Sequence, residues 1–217
     1  MAQFFTLHPE SPQPRLIRQA AGILRGGGVM AYPTDSSYAL GCRLGDLAAA
    51  RRIRELRGVG DEHHLTLVLR DLAELGHFAR LDNWQFRLVR RGVPGPFTFI
   101  LPATREVPRR LQHPKRSTVG LRVPEHPVVR ALLDELGEPI LSSTLMLPGD
   151  TAPLNDPEEI RERLGKRIDA ILDAGACAAE PTTVVDLGVD PPAVTRVGRG
   201  DPQRLGLGAP TAGGELG

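Results

Sequence analysis

Short apolar runs alternate along this chain with segments of helical periodicity, and that alternation limits the fold more than anything else in it. VMAY (29–32), LTLVL (65–69), PFTFILP (96–102), TVGLRVP (118–124), PILSSTLM (139–146), IDAIL (168–172) and TTVVDL (182–187) are too short for buried helices and are rich in β-branched and aliphatic residues. They read as strands. AVTRV (193–197) pairs with the last of them. Helices are expected over 14–24, where Gly26, Gly27 and Gly28 stop the run, from an N-cap at Asp46, and over 82–91. Two more are expected over 127–136 and after Asp156, with Pro157 at the first position, Glu159 at the third and Gly165 past the end. Strands alternating with helices give an α/β domain with a mixed sheet. With 217 residues, 41% hydrophobic and only 4% aromatic, one aliphatic-cored domain over 12–200 is expected, without repeat or linker. The glycine-rich end, 205–217, reads as a disordered tail.

Several function classes are excluded. No stretch approaches the length of a transmembrane helix, and MAQFFTLHPESPQPR lacks the form of a secretory signal, so a cytoplasmic location is expected. Cys42 and Cys177 are far apart and read as reduced thiols. Phosphate-loop, dinucleotide, nucleophile-elbow and zincin motifs are missing. Adjacent His63 and His64 do not face one site, and no metal centre is expected.

Net charge is +1, but the cations are unevenly spread. REVPRRLQHPKRSTVGLR (105–122) carries Arg105, Arg109, Arg110, Lys115, Arg116 and Arg122 against Glu106, and RRIRELR (51–57) carries Arg51, Arg52, Arg54 and Arg57 against Glu55. Converging, these form a phosphate or nucleic-acid site; apart, they are solvated faces. Hydroxyls and arginines also gather at strand ends: Thr34/Ser36/Ser37, Thr98, Thr118 with Arg122, Ser142/Ser143/Thr144, Thr182/Thr183 and Arg196. Such groups hold carboxylates and phosphates in the crevices of α/β sheets. AYPTDSSYALGC (31–42) begins as a strand and ends as a turn, with five polar residues between.

YPTDSSYALGC, PGPFTFILP, TVGLRVPEHPVV, GEPILSSTLMLPG and PTTVVDL followed by VTRVG stand in the order of the Sua/YciO/YrdC family, which the chain resembles over about residues 12–200, its YciO branch most nearly. The resemblance implies an open twisted α/β sheet with a basic concave cleft. It implies synthesis of threonylcarbamoyl-AMP from L-threonine, bicarbonate and ATP with Mg²⁺, releasing pyrophosphate, for tRNA modification. It also implies double-stranded RNA or tRNA as a partner, with Arg51, Arg54, Arg109, Arg110, Lys115 and Arg116 as the basic patch. By the same resemblance Thr34, Ser36, Thr118 and Arg122 hold the threonine. Arg57, Ser142, Thr144, Thr183 and Arg196 face the nucleotide, and Arg57 and Arg122 serve catalysis.

Two positions depart from the synthase pattern. A Lys-x-Arg pair becomes Arg57 and Val59, and a Ser-x-Asn becomes Thr144 and Met146. Valine cannot grip phosphate, and methionine offers neither the donor nor the acceptor of an asparagine amide. A weakened synthase, an RNA-binding module without turnover and a hydrolase of a threonylcarbamoyl conjugate are the readings these departures leave.

Overall fold

The computed structural model describes residues 1–61 and 63–208. In chain order its elements begin with β1 (Gln3–Thr6), α1 (Pro14–Arg25), β2 (Met30–Tyr32), β3 (Ala39–Arg43) and α2 (Leu47–Arg57). β4 (Thr66–Val68), α3 (Leu72–Phe78), α4 (Asn83–Gly92), β5 (Phe97–Pro102) and β6 (Thr118–Arg122) follow. The last are α5 (Pro127–Leu136), β7 (Ile140–Thr144), α6 (Pro157–Leu164), β8 (Ala170–Asp173), β9 (Thr183–Asp186) and β10 (Ala193–Arg196). The strands make one mixed sheet in the order β1-β8-β2-β3-β7-β4-β6-β5-β9-β10. β1–β8, β2–β8, β4–β6 and β5–β9 are parallel, and the remaining pairs antiparallel.

The expected α/β class, the predicted helices and the β9–β10 pairing are all present. Capping explains the helix starts. Asp46 accepts from the Ala49 amide, and Asp156 from those of Glu158 and Glu159, each satisfying donors that the first turn leaves free. The Glu159 side chain pairs with Arg163 instead of turning back on the cap.

Three expectations need correction. The stretch 31–42 does not end as a turn, because Ala39–Arg43 is a central strand between β2 and β7. The sheet also reaches outside 12–200, since β1 adds a parallel edge to β8 with Phe5 buried. Residue 205 does not belong to a disordered tail, because Leu205 is 2% exposed in a 3-10 turn against α4. Residues 209–217 lie outside the described residues.

One sheet face carries a continuous aliphatic core with Leu40, Leu67, Phe97, Phe99, Leu121, Leu141 and Val185, against Ile53 of α2, Leu75 of α3, Val89 of α4 and Ile160 of α6. On the other face α1 and α5 pack over Met30, Tyr32, Ala39, Val68, Ile140 and Ala170. Gly41 in β3 is required at this second interface, because a Cβ there would sit 2.6 Å from Tyr32 Cε1 and 2.7 Å from Ile140 Cγ2. Gly41→Ala is expected to lower unfolding stability by about 1–3 kcal/mol in urea denaturation.

Candidate functional site

α1 and α5 cover only part of their face. Strand alternation places Thr144 of β7, Thr66 of β4, Gly120 of β6, Thr98 and Ile100 of β5 and Val184 of β9 on the same side, beyond the helices. Thr144, Thr66, Gly120, Ile100 and Val184 are half-buried and belong to neither core cluster. This leaves a central stretch of sheet, a floor, outside the two helix-packed cores. Gly120, flanked by Thr66 Oγ1 and Thr98 Cγ2, brings the backbone to the surface of that floor.

The β2–β3 connection supplies one wall. Three strands separate β2 from β6 in the sheet, yet Arg122 at the end of β6 donates to Thr34 Oγ1 at 3.1 Å and is ion-paired with Asp35. The connection therefore arches across the open face. Asp35 also accepts from the Glu125 amide at 3.1 Å, locking the arch to the segment that enters α5. Thr34 Oγ1 holds the arch in shape by donating to the Ser37 carbonyl and accepting from the Ser36 and Ser37 amides. That commits the Thr34 hydroxyl to the protein. Ser36 Oγ, 3.2 Å from it, keeps lone pairs for a ligand. The 174–182 segment closes the outside of the arch: Glu180 N–H donates to the Ser36 carbonyl, and the Tyr38 hydroxyl to that of Gly175.

Arg122 is 7% exposed, and its Nε is the one buried side-chain polar atom without a partner among the described residues. A buried guanidinium N–H left unpaired is costly, so this donor marks a position for an acceptor. Thr118, also assigned to this group, stands four residues earlier on β6, about 13 Å along the strand. It therefore lies at the other end of the floor, beside Gly188.

Two further arginines face the same space. Arg196 donates from Nε to the Thr182 carbonyl at 3.0 Å and from Nη2 to Thr182 Oγ1 at 3.1 Å; Thr182 Oγ1 lies 2.8 Å from Thr98 Oγ1. Arg57, at the end of α2, donates to the Met146 carbonyl at 3.2 Å and to Ser143 Oγ at 2.5 Å, and its Nη1 lies 3.2 Å from His63 Nε2. Burial lowers the pKa of both, and charge repulsion adds to it, from Arg196 on Arg57 and from Arg122 on Arg196. Arginine stays protonated under such shifts, so Arg196 repels Arg57 and is itself repelled by Arg122, a local field suited to an anionic ligand.

Two assignments at this end are corrected. Thr183 points to the opposite face with Phe97, where its hydroxyl donates to the Gly200 carbonyl; period-two alternation makes Thr182 the residue on the cleft side. Ser142 shares the face of Thr66 and Thr144, but it is buried and its hydroxyl is taken by the Tyr32 hydroxyl at 2.6 Å and the Leu40 carbonyl at 3.0 Å. Burial pushes that tyrosine up to about 12, so the hydroxyl remains a neutral structural partner. Thr144 remains on the floor, half-buried. Thr98 and Thr182, singled out from the sequence only as strand-end hydroxyls, join the site, and Asp35 and Gly120 complete it without having been assigned from the sequence. Asp35 had one visible signal, a charge inside an otherwise uncharged polar run.

The loop that follows the first basic segment meets the second segment. His64, after α2, packs on His113 with ring centroids 4.9 Å apart, bringing the loops together at one rim. Arg109, Arg110 and Lys115 are exposed there. Arg116 is not available to a partner, because it forks onto both oxygens of buried Asp186 at 2.8 and 2.6 Å. Arg51 pairs with Glu55, and Arg54 donates to the His63 carbonyl. A separate hollow behind Arg122, walled by Val93, Pro94, Val123 and Pro124, carries no unpartnered buried polar group among the described residues.

The family model Sua5_yciO_yrdC, described as "Telomere recombination", matches residues 22–198. The chain belongs to the Sua5/YciO/YrdC family. It is 53% identical over 201 residues to the uncharacterized protein YciO of Escherichia coli K12, covering 93% of this chain and 98% of that one. The crystal structure of E. coli YciO superposes with a TM-score of 0.91 at 52% identity, covering 94% of this chain and all (100%) of that one. A threonylcarbamoyl-AMP synthase of Halorhodospira halophila is 33% identical over 180 residues, covering 82% of this chain and 93% of the synthase. Sua5 of Pyrococcus abyssi, in a structure complexed with L-threonine, matches with a TM-score of 0.83 at 28% identity, covering 90% of this chain and 57% of Sua5.

Within this Sua5/YciO/YrdC fold, the departures at Val59 and Met146 lie on either side of Arg57. Val59 follows the C-cap Gly58, on which Pro148 packs, and the Met146 carbonyl is the acceptor for Arg57. Both stand beside Arg57, not beside Arg122. No helix among the described residues is long and apolar enough to cross a membrane.

Proposed function

We propose that the cleft binds L-threonine at the Arg122 end and ATP at the Arg57–Arg196 end, and that it makes threonylcarbamoyl-AMP slowly. The unpartnered Nε of Arg122 carries this reading, since a carboxylate is the acceptor a buried guanidinium donor suits best. The relation to threonylcarbamoyl-AMP synthases and to a threonine-bound Sua5 supports the substrate pair. Ser36 Oγ accepts from the ammonium group before reaction. The threonine amine adds to CO₂ derived from bicarbonate, giving a carbamate and releasing a proton. A carbamate oxygen then attacks the α-phosphorus, and pyrophosphate leaves. The chain contributes placement and charge neutralisation. Arg196 and the remaining Nη2 of Arg57 meet phosphate oxygens, with Thr144 beside them. Mg²⁺ would accompany the triphosphate as a substrate-associated ion.

The test is pyrophosphate release from ATP with and without L-threonine and bicarbonate, together with calorimetric titration of L-threonine. Saturable threonine binding and slow release dependent on both co-substrates are expected. Release that ignores threonine, or no threonine binding, overturns the reading.

A further inference from the structure

The chain has a single tryptophan, and it is exposed: Trp84 on α4 is 36% accessible and Phe86, two residues on, 43%. α4 packs its Gln85, Leu88, Val89 and Gly92 side inward, on the sheet face opposite the cleft. At 3.6 residues per turn, Arg90, Arg87 and Arg91 form the outward crest, with Trp84 on one flank and Phe86 on the other. None of these arginines pairs with a carboxylate among the described residues. Arg91 has a carbonyl partner, that of Leu205 at 3.5 Å, and α4 itself carries no acidic residue, Asp82 standing at its N-cap. A solvated helix face needs no exposed aromatic pair, and in a molecule of net charge +1 three unpaired cations on one crest are a local excess.

We infer that the outer face of α4 binds a single-stranded segment of nucleic acid, with the arginine crest on its phosphates and Trp84 and Phe86 stacked on its bases. The chemistry favours this occupant over others. Two rings bordering a row of three cations let one strand meet guanidinium groups with its phosphates and rings with its bases. A membrane-surface helix gathers its rings on one apolar face, whereas Trp84 and Phe86 lie on opposite flanks and the apolar side of α4 is buried. A second copy would set like charges against each other. In a duplex the base faces are already stacked and out of reach. The surface is independent of the reading of the cleft.

Trp84 is a built-in reporter. The full chain is titrated with single-stranded oligouridylate about twelve nucleotides long, with the same length of duplex RNA, with polyglutamate and with phosphatidylserine vesicles, following tryptophan fluorescence. Saturable quenching by the single strand is expected, weakening with salt at a log–log slope of about −2, since about 0.7 is contributed per phosphate neutralised. Arg87→Gln with Arg90→Gln is expected to flatten that slope by about one or more. Phe86→Ala is expected to cost about fivefold or more in affinity at unchanged slope. Threonine-dependent pyrophosphate release should be the same in all these variants. No quenching, or equal quenching by duplex, polyglutamate or vesicles, overturns the proposal.

Discussion

Arg122→Ala is expected to weaken L-threonine binding by at least about 30-fold and to lower unfolding stability by about 3–5 kcal/mol. Both effects have one origin. Arg122 is 7% exposed, donates to Thr34 and is ion-paired with Asp35, a carboxylate that is itself nearly buried. Removing the cation strands that carboxylate and leaves the β2–β3 arch without its hold on β6. The double variant Arg122→Gln with Asp35→Asn separates the consequences. With both charges gone, stability should return most of the way, because neutral amides can bridge the same gap, while threonine affinity should stay low. Calorimetry and urea denaturation on the same three proteins check this. Wild-type threonine affinity in Arg122→Ala would refute the anchor assignment.

Val59→Arg together with Met146→Asn is expected to raise the rate of pyrophosphate release by about 10- to 1,000-fold. Each residue would restore a polar contact worth about 2–4 kcal/mol in a preorganised, desolvated site, and contacts this close need not add. The local backbone should tolerate both changes. Met146 meets Arg57 through its carbonyl, which any side chain retains, and Val59 is half-buried beyond the end of α2. Threonine affinity should not change, since both positions stand beside Arg57, not beside Arg122. An unchanged rate would mean that something other than these two positions limits the reaction.

Every helix but α3 and most strands were legible because their signals are local: apolar periodicity, Asp46 and Asp156 as caps, Pro127 and Pro157 at first positions. β1 and β3 were not. QFFT is too short to declare itself, and its stability comes from pairing with β8, far away in the chain. ALGCR looked like the end of a turn because Gly41 weakens a strand on propensity alone. Only its neighbours Tyr32 and Ile140 explain why glycine belongs there.

The site divides the same way. Arg122, Arg57 and Arg196 were recognisable as charges at strand and helix ends. Whether a hydroxyl faced the ligand depended on strand phase and on hydrogen bonds made by distant residues. Thr183 and Thr182 are neighbours with opposite outlooks, and Thr34 is spent on its own turn.

What the chain determined by itself was the α/β class, the family and a set of arginines and hydroxyls at element ends, because periodicity, capping and motif order are properties of neighbouring residues. Tertiary structure alone decided which of those groups form one site. α1 and α5 cover only part of a sheet face, and the β2–β3 arch crosses three intervening strands to reach Arg122. Such long-range contacts set burial and orientation, and these decide which guanidinium is left with an unpaired donor.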